Sequence, residues 1–263
     1  MRPCIFGLVL WFIAAMSAGA EQPAAPELEL HLEDSGLVGI TADGTRLTEA
    51  ALLGRAFAMP GYLARIESTR MDPYGGPHAF RLHQVSFLNP EGGAWEPLCH
   101  PGPFGLQMAV ALPGSSTADG GYRALPEGRF NFTCTAGAHV KCLRLGYAPG
   151  GIGPEAARRT ALHVACTRMM RADYCGTGVP HTVAGRKIEV FARHDPPRAP
   201  RLGQVEAIWG ADGAICLARP RVPERFPLDE ILNACPRLAE IPPERCTPAL
   251  LQSDPEALFL NRS

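Results

Sequence analysis

Residues 154–178 read PEAARRTALHVACTRMMRADYCGTG, and the rest of the chain is arranged around them. Pro154 suits a first helical turn, where its missing N–H is no loss. Glu155 follows at the positive end of the helix dipole. Ala156, Ala157, Ala161, Leu162, Ala165, Met169 and Met170 favour helix, and Gly176 and Gly178 supply a stop. The pattern predicts one long helix over about 154–175. At about 100° per residue, Leu162, Cys166, Met169, Met170 and Asp173 share one face, while Arg158, Arg168 and Arg171 fall on other sides and reach water.

Asp173 is the odd member of that face. It lies in the predicted last turn, where a negative charge opposes the dipole, and a buried carboxylate needs partners or a proton. One reading is structural: its oxygens accept N–H bonds from the turn at Gly176–Gly178 or pair with an arginine. The other makes it a catalytic or metal-binding carboxylate. Cys166 and Cys175 fall on opposite faces of a continuous helix, roughly 13 Å apart along its axis. A disulfide needs its Cα atoms within about 7 Å, so each cysteine is expected to tie the helix to a different segment.

The run CTRMMRADYCGTG resembles the signature of the ADYC domain, a bacterial and mostly secreted domain named for Ala172, Asp173, Tyr174 and Cys175. WEPLC at 95–99, FNFTCTAGAHVKCLRLGY at 130–147, the His181-Thr182 pair and IWGADGAIC at 208–216 carry the same resemblance, which spans Trp95 to Arg221. It implies a fold and a compartment, and no activity.

Upstream, residues 1–20 read as a secretory signal peptide: Arg2, an apolar run from Ile5 to Met16, and a small-residue cleavage site at Ala18-Gly19-Ala20. The alternative is an uncleaved N-terminal anchor. No later stretch is long and apolar enough for a transmembrane helix, so none is expected in the mature chain, and the expected location is periplasmic or extracellular. Apart from Cys4, eight cysteines remain: Cys99, Cys134, Cys142, Cys166, Cys175, Cys216, Cys235 and Cys246. An even set in an exported chain implies a disulfide framework. Cys235–Cys246, close in sequence across a proline-broken loop, and Cys134–Cys142, flanking a turn, are the expected local pairs. The other four cysteines then supply long-range ties.

The fold class read from these patterns is α+β: mainly antiparallel β, with one central disulfide-tethered helix and a short C-terminal helix. The first third alternates as short strands. Asp43-Gly44 and Asp212-Gly213 each mark a hairpin. Residues 129–134 and 140–147 read as two strands, 113–121 as a polar loop, 228–234 as a short helix and 236 onward as a proline-broken tail. The expected organisation is a signal peptide (1–20), an N-terminal β-rich region (21–94), an ADYC-like core domain (95–222) and a C-terminal helix with its tail (223–263).

Chemistry is less legible. Net charge is −1, with no basic stripe carrying interleaved aromatics, so nucleic acid is not an expected partner. There is no Gly-x-Ser-x-Gly elbow, no His-Glu-x-x-His, no Cys-x-x-Cys and no phosphate-binding loop before the helix. His163, His181, His139 and His100 are the candidate histidines. Only His181 can fold back onto Asp173, because on one helix His163 stands roughly 15 Å from it. Zinc through His163 and Cys166 lacks a visible ligand set, and no cofactor is expected. The sequence is read as a non-enzymatic binding or envelope-associated module. The competing reading is an extracytoplasmic hydrolase using Asp173 and His181.

Overall fold

The computed structural model describes residues 28–34, 36–89, 93–102, 105–150, 154–195 and 199–263. The signal peptide expected over 1–20, and the parts of the glycine-rich and proline-rich connectors at 151–153 and 196–198, lie outside the described residues. The chain opens on an antiparallel sheet of β1 (Leu28–Glu33), β2 (Gly36–Thr41) and β3 (Arg46–Thr48), with the predicted hairpin at Asp43-Gly44 joining the last two. A second sheet follows. It contains β4 (Ala56–Met59), β5 (Tyr62–Met71), β6 (Arg81–Leu88), β7 (Trp95–Pro97), β8 (Ala109–Leu112) and β11 (Asn131–Cys134). Its order is β11-β8-β6-β5-β4, with β7 also pairing β6. Between β8 and β11 a short ribbon, β9 (Gly114–Ser116) with β10 (Tyr122–Ala124), stands out from the sheet. Leu28, Phe57, Ile66 and Val85 fill the space between these layers.

The chain then turns helical, through α1 (Ala138–Arg144) and α2 (Pro154–Arg171), and closes on a four-stranded sheet. That sheet holds β12 (Glu189–Ala192), β13 (Val205–Gly210), β14 (Gly213–Leu217) and β15 (Phe259–Arg262) in the order β12-β15-β13-β14. Alternation splits its faces. Ala207, Trp209 and Phe259 pack toward α2, while Ile208, Leu260 and Cys216 pack on the other side with Leu251 of α4 (Pro248–Ser253). A short helix, α3 (Leu228–Ala234), adds Ile231 to the α2 side. The α+β reading therefore holds, with antiparallel sheets dominating.

Several sequence expectations fail, each for a physical reason. Residues 140–147 were expected as a strand, yet 138–144 form α1. Val140 and Cys142 alternate as in a strand, but Leu143 completes a helical stripe with Val140, and so short a run fits both periods. Extended Gly137 leads into the helix. The long helix stops at Arg171 instead of about 175, because Ala172 takes a left-handed φ of 50°. The segment from 236 onward is more than a tail: after Pro255 has broken it for the last time, Phe259–Arg262 slots between β12 and β13. Arg168, expected to reach water, is buried, because α2 is enclosed on all sides from His163 to Met169.

The disulfides are Cys99–Cys134, Cys142–Cys166, Cys175–Cys235 and Cys216–Cys246, with Cα separations of 5.5, 5.9, 5.5 and 5.6 Å. Cys166 and Cys175 do tie to different segments. The expected Cys235–Cys246 and Cys134–Cys142 pairs do not form. Cys235 lies in the core on the α2 side of the last sheet and Cys246 in the core on its far side, so the sheet separates them. Cys134 leaves β11 toward Cys99, while α1 turns Cys142 toward α2.

Candidate functional site

The end of α2 is a Schellman-type stop with alanine where glycine is usual. The Ala172 N–H donates to the Met169 carbonyl at 3.1 Å, and the Asp173 N–H to the Arg168 carbonyl at 2.9 Å. Asp173, fully buried, then receives the turn that follows it. Thr177 N–H donates to Oδ1 at 3.0 Å and Gly178 N–H to Oδ2 at 2.9 Å. Only glycine fits at 178: its φ is 85°, and a Cβ there would stand 2.5 Å from the Ala118 carbonyl oxygen of the β9–β10 loop. Both oxygens of Asp173 are thus bonded to backbone, which makes it a cap.

His181 does come back to this turn, but to a different acceptor. Its N–H donates to the carbonyls of Arg171 and Ala172, and its Nδ1 meets the Ala172 oxygen at 3.1 Å. A carbonyl only accepts, so Nδ1 carries the proton. Among the described residues no hydrogen bond or ion pair joins His181 to Asp173. The His181 ring lies against Tyr174, with an edge contact to Phe226 at 5.4 Å between centroids.

Tyr174 leads into a polar cluster that the sequence did not reveal. Its ring is buried and stacks on Trp209. Its hydroxyl donates to Glu206 Oε1 at 3.1 Å and accepts the Arg221 N–H at 2.9 Å. Burial, reinforced by the Glu206 charge, pushes that hydroxyl's pKa far above the phenol range. Arg221 grips Glu206 through two bonds of 2.9 and 2.8 Å, and also donates to the carbonyls of Met169 and Met170. It therefore neutralises a buried carboxylate and caps the negative end of α2 at once. Arg237 works alongside, donating to the carbonyls of Ala214, Tyr174, Cys175 and Asp212. Glu206, Arg221 and Arg237 lie 32 or more residues downstream of Tyr174, and no local pattern announces them.

The other histidines gather further up α2. His163 is fully buried, with Nδ1 2.7 Å from the Tyr147 oxygen and Nε2 2.8 Å from His139 Nδ1. The two rings stack at 5.0 Å with 14° between planes. One signal could have joined them. His139-Val140-Lys141-Cys142 and His163-Val164-Ala165-Cys166 share a His-Val-x-Cys spacing. On two helices that spacing sets each histidine on the face of its cysteine, so the bridge between the cysteines brings the histidines together. Cys166 is spent in that bridge and is no zinc ligand. His100 is exposed, next to the buried Cys99. Among the described residues no group of three or more His, Cys, Asp or Glu is placed to hold a metal ion.

Four surface cavities of about 240 to 600 Å³ take none of their lining from Asp173 to His181. No described helix is long and apolar enough to cross a membrane. A family model, that of the ADYC domain, matches residues 38–223, so it reaches well before the motifs that begin at Trp95. No curated protein and no solved structure matches the chain.

Proposed function

The chain belongs to the ADYC domain family, and from that premise we propose that it is an exported, disulfide-stapled module that binds at the cell envelope. In this reading the Asp173 turn is a structural lock and not a reaction centre. The observation that carries it is the burial of the Asp173 carboxylate, with one oxygen accepting from the Thr177 N–H and the other from the Gly178 N–H. A carboxylate held in this way offers no free oxygen to a substrate or to His181. The four disulfides support export, since such frameworks persist in oxidising compartments. A cavity of about 600 Å³ between β1, β2 and β4, with Glu29 and Arg129 in its lining, supports a binding role.

Thermal melts and free-thiol counts of Asp173→Ala, Asp173→Asn and His181→Ala test the lock. Removing the carboxylate leaves two part-buried donors unpaired, at about 1–3 kcal/mol. The amide keeps the shape but loses charge-assisted bonds, which are roughly twice as strong as neutral ones. Stability should fall most for Ala, less for Asn and least for His181→Ala, with free thiols rising in the same order. Parent-like melting of all three variants, without free thiols, rejects the lock and returns the hydrolase reading at Asp173 and His181.

A further inference from the structure

We propose a chemical site where β9 meets α1 and α2: Ser116 is a nucleophile, His139 its general base and His163 the positioning residue behind that base, acting on short-chain carboxylic esters. The three residues come from β9, α1 and α2. Ser116 Oγ lies 2.5 Å from His139 Nε2, His139 Nδ1 lies 2.8 Å from His163 Nε2, and His163 Nδ1 lies 2.7 Å from the Tyr147 carbonyl oxygen.

The last bond fixes the direction of all three. A carbonyl only accepts, so His163 Nδ1 carries a proton and, in a neutral ring, Nε2 accepts. His139 Nδ1 must then be the donor to it, which leaves His139 Nε2 as an acceptor. The Ser116 hydroxyl is therefore the donor to Nε2, the arrangement in which a serine hands its proton to a histidine. Burial favours the neutral rings this requires: it lowers the His163 pKa to about 4, and it lowers that of His139, helped by the Arg171 charge.

Exposure grades along the chain of bonds. His163 is buried, His139 half-buried and Ser116 exposed. A cavity of about 240 Å³ opens over the serine, lined in part by Ser116, His139, Tyr122, Phe132, Asn131 and Thr133. Among the described residues the Tyr122 hydroxyl has no hydrogen-bond partner. A cavity of this size, with aromatic walls and a few polar groups, suits a short acyl chain.

The reaction balances with water as co-reactant. Ser116 Oγ bonds to the ester carbonyl carbon as its proton passes to His139 Nε2. The carbon–alkoxy bond breaks, and the leaving alkoxide takes that proton to become the alcohol. Water then attacks the acyl carbon, giving a proton to Nε2. The bond to Oγ breaks, Oγ recovers the proton, and the acid departs. His163 acts through His139 by holding its Nδ1–H, so that Nε2 keeps facing the serine.

An alkyl fluorophosphonate tests the site on the oxidised protein. Its phosphorus should bond to Ser116 with loss of fluoride, mapped by peptide mass spectrometry. His139→Ala should slow labelling by about 10²- to 10⁴-fold, the usual contribution of a general base. Ser116→Ala, at an exposed position, should melt like the parent and lose turnover of p-nitrophenyl acetate. His163→Gln should lower kcat and leave KM unchanged. Absence of the adduct on Ser116, equal labelling in His139→Ala, or turnover that survives Ser116→Ala would each overturn the proposal. Because the readout is an adduct and a rate, its failure is separable from failure of the Asp173 lock, which is read by melting and thiols.

Discussion

The C-terminal end and the middle of α2 handle buried polar groups in opposite ways. At the Asp173 end most bonds run inward. Backbone N–H groups fill the carboxylate, Arg221 and Arg237 take up the carbonyls of the helix end and its turn, and Glu206 is neutralised on the spot. At His163, midway along α2, the bonds run outward, from a part-buried carbonyl through two stacked imidazoles to an exposed hydroxyl. The same helix thus carries a closed network, which serves the fold, and an open one, which points at solvent. Conspicuousness in the sequence is a poor guide to which is which: the motif that catches the eye is the closed one.

The largest effect should come from opening the closed network. Arg221→Ala strands Glu206 as an uncompensated buried charge, at about 3–5 kcal/mol. At roughly 2–4 °C per kcal/mol for a chain of this size, the melting midpoint should drop by about 10 °C. Fluorophosphonate labelling of Ser116, measured well below that midpoint, should persist. Parent-like melting of Arg221→Ala would break the comparison at its structural end.

Removing the Cys142–Cys166 bridge should touch both properties. For a loop of 24 residues the cost in stability is about 3 kcal/mol, read by denaturant unfolding. The bridge also sets His139 beside His163, so labelling of Ser116 should slow in the double Cys→Ala variant. Unchanged labelling would show that the bridge is not what aligns the two rings.

Acid should act next, and at the open end. Burial, with a smaller contribution from the His139 charge, depresses the His163 pKa to about 4, so between about pH 4 and 6.5 the unfolded chain binds more protons than the folded one. Stability is complete above about pH 6.5 and falls as pH drops, by about 2 kcal/mol at pH 5 for this one residue. His83, held to about 4 mainly by burial and further by Arg81, adds a loss of the same sign. Unfolding in urea at pH 7 and pH 5 measures the sum, and His163→Gln should flatten the slope.

The smallest effect should be at Ala172. Glycine there would relieve a left-handed residue, worth about 1–2 kcal/mol. It would also remove a buried methyl, worth about 0.8 kcal/mol, and loosen the unfolded chain by a similar amount. A melting shift of under about 3 °C is expected for Ala172→Gly.

Much of the frame was legible, because hairpin turns and helix-forming runs act locally. Asp43-Gly44, Asp212-Gly213 and the run over 154–171 produce the elements they announce. What stayed hidden depends on contacts far along the chain. β15 is four residues long and is a strand because β12 and β13 flank it. Disulfide partners were set by which face of a sheet each cysteine occupies, and sequence distance carries no such information. Of the candidate site, the capping role of Asp173 could be read from the glycines after it. Ser116 could not, since it sits in what reads as a polar loop and meets His139 only once α1 is known to be a helix.

The paired His-Val-x-Cys segments have a consequence for when the chain becomes reactive. Before oxidation nothing covalent holds α1, only seven residues long, against α2, and a helix that short has little persistence by itself. His139 then loses the fixed neighbour that orients its ring toward the serine. Closing one sulfur–sulfur bond does for this chain what cutting a propeptide does for a zymogen: it converts a latent nucleophile into an armed one, with the redox state of the surroundings as the trigger.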